Sequence, residues 1–366
     1  MAERTILLNP GPVTLTSRVR AALCRGDWCH REPEFRELTQ DINGRLTKVY
    51  PEMENAFDAV MLTGSGTASV EAMLNTFAPH DTGTLVLANG VYGERMASML
   101  AAQRKPHTLV KAPWLEMMDL AQLLKTLDQQ DGITHVAAVH HETTTGRLND
   151  LESLGQICRE LDLQLLLDSV SGFGAESIEP DTWNLSALAG TANKCLHGVP
   201  GISFVLARKA LWNGTRSQSG SVYLDLTRYY RSQHAEGDSP FTQAVQIVFA
   251  LQEALIELDE QGGWQARGQT YRRRAEAIAD CLHDLGVTTL LPREQFSSVL
   301  WSYVLPNGWT YAGLHDALKK DGFVIYAGQG DLSSRIFRIA HMGDITDEDL
   351  ERLRRSLEAC FSGAAR

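Results

Sequence analysis

Short apolar runs separated by longer stretches of mixed polarity set the rhythm of this chain between residues 59 and 206. The runs at 59–63, 85–88, 107–111, 135–140, 164–167 and 202–206 read as strands, and 3.6-residue periodicity predicts helices at 17–24, 35–49, 69–77, 95–103, 115–128 and 151–161. Strands alternating with helices imply βαβ units and a largely parallel sheet, with ligands gathered at the carboxyl ends of the strands. Ahead of this stretch, an apolar triplet and the turn Pro10-Gly11-Pro12 predict an ordered arm. Residues 27–35 form a polar loop with aromatic punctuation.

Beyond Arg208 the pattern changes. Residues 217–242 are rich in Ser, Tyr and Gly with little periodicity, as suits a segment that covers a site or crosses to a partner subunit. Long helices follow at 243–261 and 267–285, then strands at 298–304, 323–326 and 335–340 around a helix at 311–321, with a closing helix at 347–361. The expected organisation is an arm over 1–16, a large domain over 17–262 and a smaller α+β domain over 263–366. No internal repeat or low-complexity tract interrupts it.

Composition narrows the partners. With 366 residues, 43% hydrophobic and 22% charged, the chain can bury a large core, and its net charge of −11 argues against nucleic acid or anionic membrane surfaces. An anionic substrate must then be caught by a local cationic cluster. The six cysteines lack CxxC spacing, and no second Cys/His pair joins Cys29-His30 into a tetrahedral metal set, so no metal is expected. A reducing compartment fits those thiols, the N-terminus has no signal-type apolar core, and no apolar run approaches about 18 residues. A cytoplasmic protein is the expectation.

The candidate chemistry sits at strand ends. Asp168 closes one apolar run, and Lys194 lies between it and the turn Gly198-Val199-Pro200-Gly201. A lysine amine that can bond to an aldehyde, with a carboxylate that can keep a pyridine nitrogen protonated, is what a pyridoxal 5'-phosphate (PLP) site needs. The turn Gly64-Ser65-Gly66-Thr67 between strand and helix offers backbone N–H groups, hydroxyls and a helix dipole to a single phosphate, and it lacks the lysine of a P-loop. Tyr92, between Gly90 and Gly93, can stack on a flat cofactor, and Thr143 belongs to a hydroxyl-rich turn after the fourth strand. Each of these also has a plainer reading as a helix cap, a core ring or a surface residue.

Taken in order, these residues together with Phe337-Arg338-Ile339 resemble the class V aminotransferase family of fold-type I PLP enzymes. Within that family the likeness is to the 2-aminoethylphosphonate:pyruvate transaminases. Its specific points are Glu142-Thr143-Thr144-Thr145-Gly146, Asn193-Lys194-Cys195 with the glycine turn, and the run from Gly322 to Gly328. The resemblance implies an α/β fold, a large domain with a mostly parallel mixed sheet flanked by helices and a smaller α+β domain, assembled as a homodimer. It implies Lys194 as Schiff-base lysine, Asp168 as partner of the pyridine nitrogen, and Tyr92 as the stacking ring. Ser65, Gly66 and Thr67 would hold the phosphate with Thr242 of the neighbouring subunit, Thr143 would lie near the ring hydroxyl, and Arg338 would anchor the substrate anion with Arg31 as a second anchor. The implied substrates are small amines and 2-oxo acids, with serine or alanine and glyoxylate or pyruvate as the alternative pairing. A non-enzymatic α/β binding protein is the rival from another class. The chain departs from the family pattern at Gln243-Ala244-Val245-Gln246 and at His141.

Overall fold

The computed structural model describes residues 4–214, 217–236 and 238–362. Strand β1 (Ile6–Leu7) and helices α1 (Ser17–Ala22) and α2 (Pro33–Lys48) lead into β2 (Phe57–Thr63), α3 (Gly66–Phe77), β3 (Gly83–Ala88), α4 (Val91–Ala102) and β4 (His107–Lys111). Helix α5 (Leu120–Gln129), β5 (Ile133–Val139), the two-residue strands β6 (His141–Glu142) and β7 (Arg147–Leu148), α6 (Leu151–Glu160), β8 (Gln164–Asp168), β9 (Leu185–Thr191) and β10 (Ile202–Arg208) complete this half.

The central sheet has seven strands in the order β2-β10-β9-β8-β5-β3-β4, with β10 antiparallel to both neighbours and the rest of the sheet parallel. Both faces are covered, which is why its strands are continuously apolar instead of alternating. Leu165 and Leu167 of β8 point into one core with Leu38, Ile42 and Leu154, while Leu166 points into the other with Val70, Met73 and Leu100.

Strand β9 is absent from the sequence reading, which places no strand between 167 and 202. Leu185-Ser-Ala-Leu-Ala-Gly-Thr is poor in β-branched residues, so propensity does not mark it. Small residues are needed there because β9 is buried along its whole length. Ser69 Oγ of α3 donates to Gly190 O at 3.0 Å, and a Cβ on Gly190 would overlap the Phe204 ring.

Helices α7 (Lys209–Gly214), α8 (Leu226–Tyr230), α9 (Val245–Glu260) and α10 (Gly263–Asp284) follow. The polar segment expected to be irregular packs back on its own sheet. Leu226 and Tyr229 are buried in the core with α3, and Gln233 bonds both backbone groups of Met61. The chain closes with β11 (Leu300–Val304), α11 (Tyr311–Lys320), β12 (Phe323–Val324), β13 (Tyr326–Ala327), β14 (Ile336–Ala340) and α12 (Asp347–Ser362).

The single strand expected at 323–326 is two. Strand β12 pairs with the arm strand β1, and β13 pairs with β14 in the sheet β11-β14-β13. Ile6 and Leu8 are buried in the same core as Ala275, Leu314, Phe337 and Leu353. Among the described residues no helix is long and apolar enough to cross a membrane.

Candidate active site

The parallel strands deliver the candidates to one edge. Ser65 lies just past β2, Tyr92 past β3, Thr143 past β5, Asp168 ends β8 and Lys194 lies just past β9. The overlooked strand therefore explains how the lysine arrives beside the others: it too follows the carboxyl end of a parallel strand.

Asp168 and Lys194 form one wall. Asp168 is 7% exposed, and its Oδ1 accepts from Val170 N at 3.0 Å. Burial raises its pKa to about 6, opposed by the Val170 N–H and by the charges of Arg95 and Lys194. Burial pulls the Lys194 amine down from 10.5 to about 8, and its Nζ donates to Pro10 O. Gly11 makes that approach feasible, since its φ is +112° and a Cβ there would stand 2.8 Å from Lys194 Cδ.

A cavity of about 30 Å³ opens beside Asp168, lined by Gly66, Thr67, Tyr92, Arg95 and Val170. Helix α3 begins at Gly66, three residues earlier in the chain than its apolar period alone predicts (69–77), and α4 begins at Val91, so Gly66, Thr67 and Tyr92 lie in first turns. Ser65, the N-cap of α3, makes no side-chain capping bond, and Ser65 and Thr67 are exposed. The first-turn amides and positive dipole end of α3 are thus open to an anion. The Arg95 guanidinium stacks 4.7 Å from the Tyr92 ring centre.

Glu142 and Arg338 lie near the Asp168 and Lys194 pair, the charge of Arg338 acting on Lys194 and that of Glu142 on Arg338. Arg338 is fully buried at the middle of β14, its Nε donating to Ala327 O at 2.8 Å and its Nη1 to Thr143 O at 2.6 Å. Nη2 has no hydrogen-bond partner among the described residues, and burial lowers the guanidinium pKa. An unpaired buried N–H of a cation is costly unless a ligand completes it.

Glu142 and Arg95 are the residues sequence reasoning assigned no role. Glu142 is fully buried, its Oε1 accepting from Thr144 N at 3.1 Å and Thr144 Oγ1 at 2.6 Å, its Oε2 from Tyr92 N at 3.3 Å and Gly93 N at 3.4 Å. The signals for Glu142 were a carboxylate two residues past an apolar strand and its place at the head of Glu142-Thr143-Thr144-Thr145-Gly146. His141 is buried too, its Nδ1 facing Ser171 O at 3.4 Å, and burial lowers its pKa to about 3, so the ring is neutral.

Arg31 and Thr242 are not among the residues lining the cavity beside Asp168. Both are exposed, Arg31 in the loop where Trp28 packs edge-on against Phe249, and Thr242 beside Gln243, whose Oε1 accepts from Thr63 Oγ1 at 3.1 Å.

A parallel sheet wrapped by helices, with a lysine and a carboxylate at its carboxyl edge and a small C-terminal sheet closing over them, has the fold-type I architecture of PLP-dependent aminotransferases. The model of the family described as "Aminotransferase class-V" matches residues 36–338, and this chain belongs to that family. A 2-aminoethylphosphonate–pyruvate transaminase of Syntrophobacter fumaroxidans is 35% identical over 351 residues, 95% of this chain and 94% of that protein. A bifunctional phosphonoacetaldehyde hydrolase/aminoethylphosphonate transaminase of Clostridioides difficile is 33% identical over 95% of this chain and 55% of its own. Among solved structures, an alanine–glyoxylate aminotransferase from Nostoc sp. superposes with a TM-score of 0.89 at 26% identity, covering 98% of this chain and 96% of that one. An aspartate aminotransferase from Thermus thermophilus does so at 0.88 and 25%, covering 98% and 99%.

Proposed function

We propose that this chain is a PLP-dependent transaminase that moves the amino group of 2-aminoethylphosphonate to pyruvate, giving phosphonoacetaldehyde and L-alanine. The observation that carries the reading is the full-length likeness to transaminases of that name, joined to a buried arginine, Arg338, whose charge acts on Lys194 and whose Nη2 has no partner among the described residues. The residues fit PLP. Asp168 is a buried carboxylate that accepts from Val170 N and has a raised pKa, a group that a cationic ring nitrogen would stabilise in its charged form. Ser65, Gly66 and Thr67 would hold the phosphate at the start of α3, Tyr92 would stack on the ring, and Thr143 would stand near the ring hydroxyl. Thr242, exposed in this chain, would serve the neighbouring subunit of a homodimer.

When bound, the cofactor supplies an electron sink that stabilises negative charge on the substrate carbon. Asp168 would hold the ring nitrogen of such a cofactor in its protonated form. Lys194, with a pKa near 8, would hold the cofactor through its amine and would serve as the base that takes a proton from the substrate carbon. Arg338 pairs with the far end of either substrate, phosphonate or carboxylate, because its planar fork matches both. Arg31 is the second anchor for the larger phosphonate charge.

A half-reaction with a panel of amines tests the reading. Loaded protein mixed with 2-aminoethylphosphonate should lose its visible absorbance and release phosphonoacetaldehyde, and added pyruvate should restore the band with formation of alanine. Conversion by serine or alanine with none by 2-aminoethylphosphonate would overturn the substrate assignment. Absence of a cofactor band would overturn the enzyme.

A further inference from the structure

We infer that Glu142 is a positioning residue, whose carboxylate ties the helix turn carrying Tyr92 to the segment that holds Arg338. This rests on the transaminase reading above. A helix is ordinarily capped by the residue just before it, but the N-cap of α4 is Gly90, which has no side chain to offer. The cap comes instead from β6, fifty-two residues further on (142 − 90), and it needs the glycine. A Cβ at Gly90 would overlap the Glu142 carboxyl group.

The same carboxylate accepts from both the backbone and the hydroxyl of Thr144, and Thr144 Oγ1 in turn accepts from Val91 N at 3.1 Å. One residue away, Thr143 O accepts from Arg338. Among the described residues Glu142 has no ion pair, so its charge is met by the first-turn amides of α4, by Thr144 and by the field of Arg338. Burying a carboxylate without a paired cation costs stability, and burial accordingly raises its pKa to about 7. A plain surface cap would satisfy α4 without that cost. What the buried one adds is a fixed spacing between the stacking ring and the anion anchor. Loosening it would displace the charged end of a substrate from Arg338 while leaving Lys194 and Asp168 in place.

The experiment compares Glu142→Gln and Glu142→Ala with the parent by amide hydrogen exchange, steady-state kinetics and visible circular dichroism of the bound cofactor. Exchange at the Tyr92 and Gly93 amides of the cofactor-free protein should quicken about tenfold in the alanine variant, the factor carried by a lost helix cap. KM for both 2-aminoethylphosphonate and pyruvate should rise about tenfold, with kcat changing less. The dichroic band should weaken, and the glutamine variant, which retains one acceptor oxygen, should fall between. Should the alanine variant not fold, the glutamine variant is held to the same directions.

Unchanged exchange, or a fall in kcat at unchanged KM, would overturn the inference. If the parent itself transfers no amino group, the functional reading fails, and the exchange measurement still judges the joint.

Discussion

Two buried carboxylates lie close enough for the charge of one to act on the other, and they are built in opposite ways. Asp168 is given one donor, from Val170, and lies beside Lys194 and a small cavity. Glu142 is given four donors from two segments and is not among the residues lining that cavity. Burial raises both pKa values, Asp168 to about 6 and Glu142 to about 7. The difference teaches which of them awaits a ligand. A carboxylate left with spare acceptor capacity at a strand end gains most from an incoming cation, whereas one saturated by backbone and hydroxyl donors already does its work in the protein alone.

The sharpest way to break the comparison lies on the Asp168 side. Replacing Lys194 by alanine should lower kcat by a factor on the order of 10³, as loss of a proton-transfer group does, and should abolish labelling of this peptide by borohydride in loaded protein. Label on another lysine would refute the assignment. On the Glu142 side, Arg338→Lys preserves the charge but not the planar fork, so kcat/KM for both anionic substrates should fall about ten- to a hundredfold, the range for charged hydrogen bonds. An effect on only one substrate would show that the two do not share the anchor.

The smallest effect is on stability against pH, measured without cofactor. Each carboxylate has a folded pKa raised above its unfolded value, from 3.8 for Asp168 and from 4.5 for Glu142. The stability each contributes is therefore complete below its unfolded value and is lost as pH rises through its folded one. Urea midpoints at pH 4 to 8 should show Asp168→Asn removing a slope that ends near pH 6, and Glu142→Gln one that ends near pH 7. Each slope should amount to about 1 kcal/mol per pH unit within its window. Taking the difference from the parent cancels the buried histidines, whose lowered pKa values act in the other sense. Loading the cofactor should erase the Asp168 slope and leave that of Glu142. A Glu142 slope that also vanished would place both carboxylates against the cofactor.

The sheet was legible because its strands are short, apolar on both faces and separated by periodic helices, a pattern that survives without coordinates. Where the pattern is weak, reading failed. Strand β9 is assembled from Ala, Ser, Gly and Leu, a composition chosen by the close approach of α3 and Phe204, which local propensity cannot see. The start of α4 was placed late because Val91 and Tyr92 carry no capping signal of their own, their cap being Glu142.

By itself, then, the sequence determined the alternation of strands and helices, and with it the edge at which Ser65, Tyr92, Thr143 and Asp168 emerge, since hydrophobic period and chain direction are local properties. Only the tertiary structure decided that Lys194 arrives there on a strand of its own, that the arm at Ile6 joins the C-terminal core, and that Glu142, Gly90 and Arg338 share one joint. Those are contacts between residues far apart in the chain. They depend on which surfaces are pressed together once the sheet is closed, and no window of neighbouring residues encodes that.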